Sequence, residues 1–333
     1  MATIGSGITI GPGIIFGDTI PPVEVLYTFT NFLFTNANTS GNLGPNISRA
    51  TSFYTGNSFY SGNTWISDTN YYNVTNGIQT WTVPATGTYR IIAKGAQGAP
   101  YTASAGGVGA VIQGDFSLTK GEKINIVVGQ TARPPAARAG RNGSGGGGTF
   151  VVKANVSTPS TADILVIAGG GGGCGTAFLP NANASITTSG RNSTGGSYIG
   201  LGGTNGNGGG QNTGATVNGG GGGFSGNGAA NSVIEAGGRA YRFGANGGVV
   251  NATYAPEGGG FGGGGAPGNG DNNRMAGGGG YSGGGASDAV GTTATSTLAG
   301  GGGGSYNNGT NQINLTDSSG NFGNGSVIVT FIG

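Results

Sequence analysis

Histidine is absent from the 333 residues, and Cys174 is the only cysteine. Those two gaps together exclude disulfides, cysteine-rich zinc sites, Cys/His nucleophile pairs and Ser/His/Asp triads. Charge is scarce as well. Thirteen Lys and Arg stand against eleven Asp and Glu, a net of +2 that gives no case for nucleic acid or an anionic membrane as a partner. No apolar run approaches a membrane span, and residues 1–17 lack the basic start and unbroken apolar core of a secretory signal. The 12 prolines and the lack of a Gly-X-Y period exclude collagen. Carboxylates such as Asp68, Asp115, Asp163, Glu235 and Asp288 are scattered, without the close pairing motif that would point to a glycosidase. The chain reads as a non-enzyme that needs no cofactor and no metal.

What is abundant is glycine, 81 residues of it. It gathers into runs at 169–173, 219–223, 262–265, 277–280 and 300–304, foreshadowed by 145–148. Ordering glycine costs more backbone entropy than ordering any other residue and buries no side chain. Two outcomes are open. The runs form a flexible low-complexity linker, or they pack side by side as polyproline-II-like helices, each turning every three residues with its N–H and C=O groups directed sideways at neighbours. The lattice is the favoured expectation. The region is more than a third of the chain, it carries Phe224, Tyr241, Phe243, Tyr254, Phe261, Tyr281 and Tyr306 as candidate wedges, and it leads back to a strand.

From the N-terminus, residues 1–22 contain an internal echo, Ile4-Gly5-Ser6-Gly7-Ile8-Thr9 and Ile10-Gly11-Pro12-Gly13-Ile14-Ile15. Such a segment suits an extended arm that attaches to a partner through Ile4, Ile8, Ile10 and Ile14, or else a frayed terminus. Residues 23–76 form an aromatic-rich β segment, with strand-like alternation from Val23 to Phe34. Tyr54, Phe59, Tyr60, Trp65, Tyr71 and Tyr72 then serve either as a glycan-binding face or as sheet core. Residues 77–168 carry the clearest strands, at 78–83, 88–94, 109–118, 122–128, 149–153 and 163–168, with turns at Pro84-Ala85-Thr86-Gly87 and Lys120-Gly121. Their spacing predicts an antiparallel β-sandwich or jelly roll. Residues 169–304 are the glycine-rich bundle, inserted before a closing strand at 326–332 within 305–333. No segment shows uninterrupted helical periodicity, so essentially no α-helix is expected.

Chemistry-bearing motifs are few. Gly170 to Gly175 formally matches GxGxxG but lacks a following helix and a downstream acid. Arg133, Arg138 and Arg141 cluster around Pro134-Pro135 in an expected loop. Segments between the glycine runs must emerge at the ends of a slab, and loops on a rigid scaffold are a common recognition device. Those segments hold Arg191, Arg239, Tyr241, Arg242, Tyr254 and Arg274 as receptor-contact candidates, with simple connection as the alternative role.

Leu26-Tyr27-Thr28-Phe29-Thr30-Asn31, Leu43-Gly44-Pro45, the stretch Gly77-Ile78-Gln79-Thr80-Trp81-Thr82-Val83-Pro84-Ala85-Thr86-Gly87-Thr88-Tyr89-Arg90-Ile91 and Gly95-Ala96-Gln97-Gly98 resemble glycine-rich virion proteins of tailed phages, especially those of cyanobacteria. The course from Ile167 through residues 300–306 to Val329 is similar to a wider glycine-rich module, also seen in the ectodomains of anaplastic lymphoma kinase and leukocyte tyrosine kinase. The resemblance covers roughly residues 23–333 and departs at 46–76, which are longer and more aromatic. It implies a TNF-like jelly roll carrying polyglycine-II helices. It further implies a tail-fibre or tail-tip adhesin that contacts a bacterial surface glycan or outer-membrane protein, docks to other virion proteins and resides in the virion, with trimers by analogy. A purely structural virion component and a bacterial surface or ice-binding protein are the alternatives.

Overall fold

The computed structural model describes residues 2–3, 9–10, 24–100, 106–132, 142–154, 158–195, 198–211, 218–230, 235–249, 258–268, 274–288 and 297–333. Alternating inward and outward side chains place eleven principal strands in two antiparallel sheets. In chain order they are β1 (Asn31–Phe34), β2 (Tyr72–Thr75), β3 (Ile78–Thr82), β4 (Gly87–Lys94), β5 (Val111–Leu118), β6 (Lys123–Val127), β7 (Thr149–Lys153), β8 (Ile164–Ala168), β9 (Tyr306–Asn307), β10 (Thr310–Leu315) and β11 (Ser326–Phe331). One sheet has the order β9-β8-β7-β6-β3-β2 and the other β10-β5-β4-β11-β1. Together they make an all-β antiparallel sandwich. Its core takes Phe32, Phe34, Tyr89, Ile91, Ile112, Val327 and Val329 from one sheet, facing Trp81, Ile124, Ile126, Val151 and Val166 from the other. Burying each large apolar side chain stabilises by roughly 1.5–3 kcal/mol.

The six-stranded sheet is covered on its second face too. Phe150, Val152, Ile164 and Ile167 point away from the sandwich core and meet Phe224, Tyr241, Phe261 and Tyr281 from the glycine-rich region. That explains why β8 reads as an unbroken apolar run: every one of its residues is buried.

Glycine runs form the third layer. Gly277 and Gly280 donate to the carbonyls of Gly219 and Gly222, Gly278 and Tyr281 to those of Gly301 and Gly304, and Ala276 and Gly279 to those of Gly143 and Gly146. Donor direction therefore returns every third residue, and one run is bonded to three neighbours. Run 300–304 repeats this: Gly300 and Gly303 donate to Gly173 and Gly170, Gly301 and Gly304 to Gly285 and Ser282, and Gly302 and Ser305 to Asn181 and Thr187. Side chains have no room. A Cβ at Gly278 would lie 2.2 Å from the Gly170 oxygen, and one at Gly221 would lie 1.9 Å from the Gly278 oxygen. Run 262–265 departs from this pattern, because Gly262 and Gly263 have φ of 99° and 81°. Their left-handed turn lets Phe261 drop its ring between Gly44 and Gly77, where a Cβ on either glycine would come within 2.6 Å of it.

Three expectations need revision, and one open alternative resolves. A helix, α1 (Ile47–Thr55), lies within the aromatic segment. Asn46 caps it by accepting from the Arg49 amide at 2.8 Å, and Ala50 and Tyr54 are buried one turn apart. Strand pairing in the described part of 24–34 is confined to Asn31–Phe34, so the alternation that began at Val23 does not extend the sheet. Of the two readings of the aromatic cluster, core holds: Tyr54, Tyr60, Trp65 and Tyr72 are buried although Phe59 is exposed, and the Tyr54 and Tyr72 hydroxyls donate to Oε1 of buried Gln79 at 2.9 and 2.8 Å. Finally, the bundle is not confined to 169–304. Ala96, Gly107 and residues 143–147 exchange backbone hydrogen bonds with it, as in Gly171 N–H to Ala96 O at 2.9 Å and Gly146 N–H to Gly171 O at 2.8 Å.

Candidate functional site

The turn at Tyr241–Phe243 joins the glycine layer to the surface. It is a single 3-10 turn ended by Gly244 at φ 99°, a conformation that favours glycine. Adjacent runs hold its backbone: the Tyr241 and Arg242 amides donate to the Gly223 and Phe224 carbonyls, at 3.0 and 3.2 Å. Arg239 N–H donates to Asn246 O at 2.8 Å, and the Ala240 amide to the Asn227 side chain at 2.8 Å.

From this frame the three turn residues diverge. Tyr241 points inward, with only 4% of its surface exposed, and stacks between Phe150 and Phe224 at 5.3 Å from each. Its burial pushes the phenol up to about 12. Arg242 is exposed, lies with Cζ 5.3 Å from the Phe224 ring centre and donates to the Pro159 carbonyl. Phe243 faces outward with 57% of its surface exposed. It forms one wall of a cavity of about 660 Å³ whose other residues include Leu43, Pro45, Ile47, Val74 and Asn76. A smaller cavity of about 200 Å³ shares Phe243 and Asn246 with it and adds Arg239, ion-paired to Glu235 at 3.0 Å.

The sequence-derived contact candidates separate accordingly. Arg239 borders the smaller cavity, whereas Arg242 is exposed but lies over Phe224 and lines neither cavity. Arg191 lines a different cavity. Tyr241 and Arg274 are corrections. Tyr241 is a wedge in the apolar layer, and Arg274 is buried in a two-residue strand, Arg274–Met275, that pairs with Asn142–Gly143 and Ser287–Asp288. Tyr254, Arg133, Arg138 and Arg141 lie outside the described residues, as do Ile4, Ile8 and Ile14. Ile10 belongs to Thr9–Ile10, which pairs antiparallel with Ala2–Thr3, so this part of the arm folds back on itself. Phe243 was grouped with the wedges by its aromatic character. The usable signal is that Tyr241 and Phe243 flank one residue of a tight turn, so both cannot enter the same layer.

Shifted acidities point away from neutrality. Burial pushes the Cys174 thiol up to about 11 and raises Tyr27, Tyr54 and Tyr72. Hydrogen bonds from Lys120, Arg90 and the Ser160 backbone pull Glu24, Asp115 and Asp163 below the ordinary carboxylate range. Among the described residues no group of three or more His, Cys, Asp or Glu could hold a metal ion, and no helix is long and apolar enough to cross a membrane. A comparison with protein-family models found no match, and neither did a comparison with curated proteins.

Proposed function

We propose that the chain is a virion protein of a phage tail fibre or tail tip that binds the bacterial surface without catalysis. The observation that carries this reading is the rigid mounting of the Arg239–Phe243 segment. A backbone lattice fixes the loop from below while Arg239, Arg242 and Phe243 remain exposed, Phe243 walling a cavity of ligand size and Arg239 bordering the smaller one that shares Phe243. Rigid presentation lowers the ordering cost of binding. The threefold return of donor direction supports reading the runs as polyglycine-II helices, and the two antiparallel sheets support a TNF-like jelly roll beneath them. Acidities displaced from neutrality are those of a scaffold and not of a proton-transfer site. The partners in this reading are other virion proteins, reached through the N-terminal arm, and a host glycan or outer-membrane protein.

The test is whether purified protein binds host cells and competes with phage adsorption, and whether Phe243→Ala combined with Arg242→Gln reduces both at least tenfold. A protein that binds no cells while antibody against it decorates the capsid would instead be a structural virion component.

A further inference from the structure

A second cavity, of about 580 Å³, opens where the glycine layer meets the sandwich. Phe178 and Phe322, exposed at 47% and 62%, line it together with Val108 and Pro180. Two groups of opposite charge, Arg191 and Asp317, complete it together with Asn183 and Ser318. Both are firmly mounted. Arg191 N–H donates to Gly302 O at 2.8 Å, and its carbonyl accepts from Gly285 N–H at 3.0 Å. Asp317 Oδ1 accepts from the Asn183 side-chain amide at 2.8 Å, and the neighbouring Thr316 hydroxyl donates to Ala184 O at 2.8 Å. The Nε–H of Arg191 is buried and has no hydrogen-bond partner among the described residues. A buried donor left unpaired is a standing cost to the fold, and the guanidinium that carries it belongs to a residue lining the cavity.

We propose that this cavity is a subsite for an acidic sugar, a hexuronate unit of a surface polysaccharide. This inference rests on the surface-binding reading above. The apolar face of the pyranose lies against Phe178 and Phe322, its carboxylate takes the Arg191 guanidinium, and ring hydroxyls donate to Asp317. Guanidinium and carboxylate match in geometry as well as charge. A fatty acid satisfies Arg191 but offers Asp317 no donor. An amine without a carboxylate meets only Asp317, which is itself exposed, and leaves Arg191 unanswered; a dipeptide carries both charges but no ring of hydroxyls, and is the competing occupant in the test below. A hydroxylated ring with one carboxylate answers both charged groups and both aromatic faces.

Calorimetric titration of the full-length protein tests this, using tetramers of galacturonate, glucuronate and mannuronate, the neutral galactose tetramer and a phenylalanine dipeptide. At least one uronate tetramer is expected to bind at least tenfold more tightly than the neutral one. Arg191→Gln should bring the two within twofold, and Phe322→Ala should weaken both about tenfold, with near-ultraviolet circular dichroism of each variant unchanged. Equal binding of neutral and acidic tetramers overturns the assignment, as does preference for the dipeptide or failure of all three uronates. Host-cell binding is measured alongside. Cells bound without any uronate affinity sink this subsite and leave the surface-binding reading standing, while uronate affinity without cell binding does the reverse.

Discussion

Replacing Gly171 by alanine tests the close packing of the glycine layer most directly. A Cβ there would lie 1.9 Å from the Gly107 carbonyl oxygen and 2.4 Å from its carbon, both backbone atoms that no rotamer change can move aside. One of the two segments must shift by about 1 Å to reach even a tight contact near 3.0 Å. Hydrogen bonds of 2.7–3.2 Å do not survive such a shift, and Gly171 makes two, donating to Ala96 O at 2.9 Å and accepting from Gly146 N–H at 2.8 Å. Leaving the two buried backbone groups of Gly171 unpaired costs about 1–3 kcal/mol each, against about 0.4–1 kcal/mol returned by stiffening the unfolded chain, so the variant should lose about 1–6 kcal/mol. Gly210→Ala is the control, since its nearest neighbour would be 3.3 Å away and its φ lies outside the left-handed region. It should stay within about 1 kcal/mol of wild type. Urea midpoints supply the energies, and amide exchange over residues 169–173 localises the effect. Equal midpoints for the two variants would refute the claim that bare backbones are packed against one another here.

Three further outcomes are expected. Tyr241→Ala removes the ring stacked between Phe150 and Phe224 and should cost about 3–5 kcal/mol in denaturant unfolding, whereas Phe243→Ala should change stability by less than about 0.5 kcal/mol; comparable losses from both would mean the two rings are misassigned. Cys174, buried and with its thiol pushed up to about 11, should resist a thiol reagent at mildly alkaline pH in the folded protein and react fully in urea, as absorbance of the released chromophore reports. Asp115 is buried beside Arg90, and its carboxyl is held below the ordinary 3.8, chiefly by the hydrogen bond from Arg90. A depressed folded value means that its stabilisation is complete above about pH 4 and is lost as pH falls through that folded value. Urea midpoints measured from pH 7 downward should therefore drop in acid, and less steeply in Asp115→Asn.

The strands of the sandwich were legible in the chain because each carries its own period. β7 at Thr149–Lys153 was expected over the same residues, and β4, β6 and β8 over nearly the same ones. Two elements escaped for different reasons. α1 has Asn46 as cap and buries Ala50 and Tyr54 one turn apart, but nine residues are too few for that spacing to stand out among Ser, Thr and aromatics. β10 is an edge strand with nearly every residue exposed, so Thr310–Leu315 shows no inward set to read. The candidate site was half legible. Arg239, Arg242 and Arg191 could be marked as loop residues, but which aromatic faces inward depends on turn geometry, and Phe322 and Asp317 reach the Arg191 cavity from far along the chain. Glycine identity said that backbones can approach, not which ones do.

Where the scaffold is knitted from main chain, as around residue 191, it has an unusual freedom. When the segment there changes its residues, its main-chain anchorage stays, because Gly302 and Gly285 grip the peptide unit of residue 191 whatever side chain that residue carries, whereas the turn at Tyr241 is held by interlocked rings as well. Variation at the tips is thereby uncoupled from folding below them, and such a protein can alter what it touches many times over while keeping one unchanging frame.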